Sequence, residues 1–142
     1  MLNKMRAIVE QQDSATLKHL DAMDLKFMDF AYRWISCYLT REFNIYQIIK
    51  LWDTYFAEEN GFSQFHSYVC AVLFLKFAPQ LRELDYQEAM LFLQAVPTQQ
   101  WSDDDLEMLV SKAFEMKMLY QDQNSRLLQG NQLATSNNFP KK

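Results

Sequence analysis

The run Tyr68-Val69-Cys70-Ala71-Val72-Leu73-Phe74-Leu75-Lys76-Phe77-Ala78 is apolar at every position but Lys76. A bilayer span needs about 20 such residues. The run is shorter, so it reads as a buried helix of a globular protein rather than as a membrane segment. Composition supports that reading. Only two of the 142 residues are glycine, where average usage of about 7% would give roughly ten. Chains that turn often need glycine for positive φ, which argues against a many-stranded sandwich or barrel. Gly61 and Gly130 are isolated, so neither a G-x-G-x-x-G loop nor a P-loop can form, and nucleotide-binding enzymes of those two kinds are excluded. An apolar share of 49% can fill a core and argues against disorder. The net charge of −4 offers no basic field to nucleic acid or anionic lipid. Cys37 and Cys70 lie in separate apolar runs, and with only His19 and His66 beside them no zinc-ligand spacing exists. Both are expected as buried reduced thiols of a cytosolic protein. Met1 to Gln12 lacks an apolar h-region, so no secretory signal is expected there.

Upstream of the run the apolar spacing is helical. Phe27, Phe30, Ala31, Trp34 and Tyr38 make one stripe of a helix expected from Lys26 to Arg41. Ile45, Ile48, Ile49, Trp52 and Phe56 make the expected inward stripe of the next, with Asn44 and Gln47 spaced as a capping box. Met5 to Glu10 and Ala15 to Met23 read as two short helices. Gly61 breaks the chain after Glu58, and Ser63 is the expected cap of the third long helix, about Ser63 to Arg82, which Pro79 should end or kink near Phe77 or Ala78. Downstream, a helix from about Asp85 points Tyr86, Ala89, Met90, Leu93 and Val96 inward and stops at Pro97. Ser102 caps a last helix whose first turn holds Asp103, Asp104 and Asp105, where the helix dipole favours anions. Its inward stripe is Leu106, Leu109, Val110, Ala113 and Phe114. Met116 falls off that stripe, and with Met108 and Met118 it suits either an irregular core gap or an adaptable surface. After Tyr120, Gln, Asn and Ser dominate. The expectation is an all-α irregular bundle of about six or seven helices over residues 1–120, with a disordered polar tail over residues 121–142.

Three blocks carry more than periodicity. Phe30-Ala31-Tyr32-Arg33-Trp34 continues to Leu39-Thr40-Arg41-Glu42-Phe43; Leu51-Trp52-Asp53-Thr54-Tyr55 follows; then comes Phe65-His66-Ser67-Tyr68-Val69-Cys70-Ala71, with Phe92-Leu93-Gln94 and Pro97-Thr98 behind it. In order and spacing they resemble the C-terminal half of the TBC domain of Rab and Ypt GTPase-activating proteins, the subgroup with the Golgi activators above all. Lys50 stands where that family has Arg before Leu-Trp-Asp. The resemblance covers about Asp13 to Tyr120 and implies the fold of the C-terminal TBC lobe, a Rab/Ypt small GTPase as partner, and no cofactor. It also implies a cytoplasmic place in vesicle traffic, at Golgi or other membranes. The family sends an Arg from I-x-x-D-x-x-R and a Gln from Y-x-Q-G into the GTPase, where a cation supplied in trans stabilises charge on the phosphoryl oxygens. Neither motif occurs in this chain. The expectation is therefore a lobe that supports GTP hydrolysis in the complete protein and is itself no enzyme, without activity alone. The alternative is a non-catalytic module that binds a Rab or a traffic protein.

No catalytic or metal residue is expected. Arg41 and Glu42 are candidates for contact with the GTPase, against the alternative of an ion pair at a helix end. Arg33, Trp34, Trp52 and Asp53 are read as the structural core of the motif, with Arg33 pairing to Asp53 or Glu42. If the finger-bearing N-terminal lobe is a separate part, the face that packs on it should be unusually apolar, and self-association through that face is expected.

Overall fold

The computed structural model describes residues 1–59 and 61–136, with side chains through 129. Seven helices occur among the described residues: α1 (Leu2–Gln12), α2 (Ser14–Ala22), α3 (Met28–Ser36), α4 (Ile45–Phe56), α5 (Phe62–Leu81), α6 (Tyr86–Gln94) and α7 (Asp103–Ser136). No strand occurs among those residues. The all-α bundle read from the sequence is the fold observed. No described helix is long and apolar enough to cross a membrane.

The central helix α5 packs against α1, α2, α3, α4 and α7. Its burial is nearly all-round from Phe65 to Phe74, as the apolar run requires. Phe74 stacks on Phe30 with ring centroids 5.5 Å apart, and Phe30 meets Trp34 edge-on at 5.3 Å. Phe65 packs on Phe114 at 4.3 Å, and Lys117 of α7 pairs with Glu58 just ahead of α5. Gly61 caps α5 with φ of 88°, a left-handed value that a side chain would strain. The expected cap, Ser63, instead lies inside the first turn. Pro79 does not end the helix, which runs to Leu81. At that distance from the end its missing N–H removes a single ladder bond.

Two polar residues, His66 and Ser67, are enclosed in this apolar helix. His66 is fully buried and placed between two acceptor and donor groups of neighbouring helices. Its Nε2 lies 3.1 Å from the Trp34 carbonyl, and its Nδ1 lies 2.8 Å from the Tyr55 hydroxyl. A carbonyl only accepts, so Nε2 carries the proton and donates to Trp34, while Tyr55 donates to Nδ1. Both ring nitrogens are thereby satisfied in the neutral form.

Two helix ends and one helix face depart from the sequence reading. The helix expected to reach Arg41 stops at Ser36, because Tyr38 (φ 49°) and Leu39 (φ 62°) turn left-handed. Leu39 is completely buried, which offsets the roughly 1–2 kcal/mol cost of that conformation. The face of α4 expected inward is largely the outward one: Ile45 is 65% exposed, Ile49 52% and Phe56 74%. Of the expected stripe Ile48 is buried, and it is joined by Gln47, Leu51 and Tyr55. The four recur at one-, three- and four-residue spacing and share a face, and the hydrogen bonds of Gln47 and Tyr55 hold that face inward. Finally, α7 does not fray at Tyr120. It continues to Ser136 through a stretch without proline, with Asp122 and Arg126 paired one turn apart at 2.8 Å. The part of the expected tail from residue 137 on lies outside the described residues.

Burial drives the His66 pKa down to about 4. The folded protein therefore binds fewer protons than the unfolded chain between about pH 4 and the ordinary value of 6.5. Its stability is complete above that window and falls as pH drops through it, by about 3 kcal/mol at the limit. Thermal melts from pH 7 to pH 4 should show this loss, and His66→Gln should flatten it.

Candidate functional site

The short reversal after α3 brings Arg33 back against Glu42. Arg33 donates from Nε at 3.0 Å and from Nη2 at 2.7 Å, both to the same carboxylate oxygen, Oε1. The same Nη2 also reaches the carbonyl of Gln94 at 2.7 Å, at the end of α6. Glu42 is 2% exposed, and its Oε2 has no partner among the described residues. Burial pushes the Glu42 carboxyl above the usual carboxylate range, with Arg33 acting in the opposite direction. Of the two partners open to Arg33 from sequence, the structure selects Glu42.

The loop from α6 to α7 closes over this pair. Thr98 is fully buried and donates its hydroxyl to the Glu42 carbonyl. Gln47 donates from Nε2 to the carbonyls of Thr98 and Trp101, each at 3.0 Å. Its Oε1 accepts from the Asn44 backbone at 2.9 Å, and the Asn44 side chain accepts from the Gln47 N–H at 3.0 Å, so the expected capping box is present. The Asn44 amide donates in turn to the Gln99 carbonyl at 3.1 Å. Gln47 thus does two jobs: it caps α4 and pins the following loop. Sequence reasoning saw the cap and missed the pin, because the i, i+3 spacing signals only the local bond.

Beside this network lies a cleft of about 440 Å³ lined by Arg41, Glu42, Gln94, Val96, Pro97 and Gln99, among others. Arg41 is exposed on it, with no ion-pair partner among the described residues. Glu42 faces the network rather than solvent. Of the two candidate contacts, only Arg41 presents its charged group outward. Trp34 is completely buried on α3, as a core residue should be. Trp52 is half-buried: its Nε1 donates to the Tyr38 carbonyl at 3.3 Å, and its ring meets Phe62 edge-on at 5.7 Å. Asp53 is exposed on α4 and stands apart from the Arg33–Glu42 pair, which corrects its placement in the structural core of the motif. The i, i+1 step from Trp52 turns it about 100° away, onto the solvent side.

The remaining chemistry-bearing groups are enclosed. Cys70 is buried with its sulfur 3.5 Å from His66 Nε2, and Cys37 is half-buried; both are free thiols. Burial pushes the Cys70 thiol well up and the His66 imidazole down, so both stay neutral and pack rather than react. Among the described residues no three His, Cys, Asp or Glu side chains converge on a metal-sized space. What the arrangement offers chemically is a rigid polar frame that presents one free guanidinium beside a cleft.

Comparison with known proteins places this frame. Residues 1–82 match the Rab-GTPase-TBC domain. The GTPase-activating protein gyp1 of Schizosaccharomyces pombe is 41% identical over 127 residues, covering 89% of this chain and 25% of that protein. TBC1 domain family member 22A of Homo sapiens is 39% identical over 119 residues, covering 83% of this chain and 23% of that protein. The chain therefore spans about a quarter of the length of these curated relatives. The crystal structure of the Ypt/Rab-GAP domain of Gyp1p superposes with a TM-score of 0.78 at 38% identity, covering 84% of this chain and 38% of that one. The names correct one expectation from sequence. A chain that aligns this well with proteins named for GTPase activation cannot be set aside as no enzyme on the ground of two absent motifs.

The Arg33–Glu42 pair can be tested on stability. Arg33→Ala leaves a buried carboxylate without its counter-ion and should cost about 2–4 kcal/mol at pH 7, discounted for the partial exposure of Arg33. Glu42→Gln keeps an acceptor for Arg33 and should cost less, about 1–2 kcal/mol. Denaturant melts of the two variants check the order; an equal or reversed order would mean that the charge of Glu42 is not what Arg33 holds.

Proposed function

The chain belongs to the Rab-GTPase-TBC domain family, and from that premise we propose that it works as part of a domain that stimulates GTP hydrolysis by a Rab or Ypt small GTPase. The observation that carries this reading is the agreement, in both sequence and backbone, with a Ypt/Rab-GAP domain. Residues 1–120 form the C-terminal lobe of that domain. Its part is to brace the remainder and to complete the groove in which the GTPase lies. Arg41, free and exposed at the cleft, touches the GTPase; Glu42 and Arg33 set the backbone that carries it. Trp34 and Trp52 hold the helices behind them. The same reading gives a cytoplasmic protein at the periphery of Golgi or other traffic membranes.

The outward face of α4 fits the same proposal. Ile45, Tyr46, Ile49 and Phe56 leave an apolar stripe on a well-capped helix. In a domain of which this chain spans 38%, the N-terminal lobe covers that stripe. In the isolated chain two copies meet there.

Single-turnover GTP hydrolysis by a panel of Rab GTPases, with the full-length protein added, tests the function. Acceleration of at least one member by about tenfold, equivalent to about 1.4 kcal/mol of barrier, is expected; none at all would overturn it. Arg41→Ala in the same protein should lower kcat/KM for the responding Rab by about tenfold and leave the melting temperature in place, since Arg41 makes no ion pair within the described residues. For the isolated chain, sedimentation should show a dimer that Ile49→Glu with Phe56→Glu converts to monomer.

A further inference from the structure

A second cavity, also of about 440 Å³, lies between α5 and α7 near the end of α1, away from the Arg33–Glu42 network. Its lining grades from buried to exposed. Val72 and Leu109 are buried, Leu75 and Met116 half-buried, Met108 is 56% exposed and Leu119 47%. On α7 the lining residues Asp105, Met108, Lys112, Met116 and Leu119 recur at three- and four-residue spacing, so they share one face. From Asp105 to Leu119 that face is about 21 Å long, or about four helical turns.

The charge around the cavity is not balanced. Asp105 and Glu115 line it, and a shallower depression that shares Met108, Lys112 and Glu115 adds Asp104 and Glu107. Among the lining residues these four carboxylates, of which Asp105 already accepts from Ser102, outnumber the two ammonium groups of Lys76 and Lys112. Lys76 is already drawn over the Trp101 ring, 5.0 Å from its centroid. An apolar floor with an acidic rim asks for a ligand that is apolar on one side and basic at its edges. The thioethers of Met108 and Met116 can adjust to side chains of different shape.

We propose that the trough between α5 and α7 is a docking groove for a basic amphipathic helix of a partner protein. Such a helix would set apolar residues at i, i+3 or i+4, and i+7 into the groove and place Lys or Arg along the acidic rim. About 14 residues would fill the length. A second copy of this chain is a poor occupant: the exposed part of its α7 from Gln121 to Gln129 carries one Asp and one Arg and no basic excess. This docking is independent of GTPase stimulation and uses none of the residues assigned to it.

Fluorescence anisotropy with the 142-residue chain and two labelled peptides of about 14 residues tests the proposal. One peptide carries Leu and Lys at amphipathic spacing; the other has Glu in place of every Lys. The Leu/Lys peptide should bind about tenfold or more tighter than its acidic counterpart. Met108→Lys should weaken that binding about tenfold, and Glu115→Lys about two- to fivefold at low ionic strength. Met28→Lys, a change at an equally exposed methionine of α3, should leave it unaltered. Equal binding of the two peptides, an equal loss from Met28→Lys, or no binding of the Leu/Lys peptide up to about 1 mM would each overturn the proposal.

Discussion

A buried imidazole must find two hydrogen-bond partners, and most of this structure is arranged around that requirement. The central helix is apolar on every side, so it can be enclosed by five others without regard to its rotation. His66 removes that freedom. One ring nitrogen needs an acceptor and the other a donor, and the Trp34 carbonyl and the Tyr55 hydroxyl supply them. The first demand places the end of α3 over α5. The second turns α4 until Tyr55 faces inward. The fold thus takes its non-directional cohesion from hydrophobic burial and its register from one polar residue.

The turn of α4 has consequences at both ends of the helix. At its start, Gln47 comes to lie on the inner face, where it bonds to the loop between α6 and α7 as well as to its own cap. That loop carries Thr98 onto the Glu42 backbone, and Glu42 in turn holds Arg33. Helices distant in sequence are therefore tied by side chains that each serve two partners. Along the outer face, the same rotation leaves Ile49 and Phe56 in solvent. An exposed apolar stripe is costly for a lone chain and ordinary for one part of a larger domain, which agrees with a chain that spans a fraction of its relatives' length.

The sites differ in how they relate to this frame. Arg41 stands on a backbone fixed by the Arg33–Glu42 pair, so its position is set even though its side chain is free. The trough along α7 is built differently. It lies where two helices in contact elsewhere leave a gap that methionines fill only in part. The first site is rigid and polar, and the second apolar and adaptable.

Much of this was legible in the sequence because it depends on local periodicity and chemistry. Six or seven helices, the cap at Asn44, a helix starting near Asp85, the break at Gly61 and the buried run of α5 all follow from residues within a few positions of one another. So did the pairing of Arg33 with a carboxylate, although two partners were open. The misreadings share a cause. α4 has two apolar faces about 100° apart, and spacing alone gives them equal claim; the choice belongs to His66 on another helix. α3 stops at Ser36 since burial of Leu39 outweighs its left-handed backbone, and burial is not a local property. The sequence by itself determined which segments are helical and that α5 is buried, because backbone propensity and apolar period act over a turn or two; that α5 is the centre came from its contacts. Only the tertiary structure decided which face of α4 is buried, which carboxylate Arg33 holds and where the two clefts open. Each of those depends on groups brought together from helices far apart in the chain.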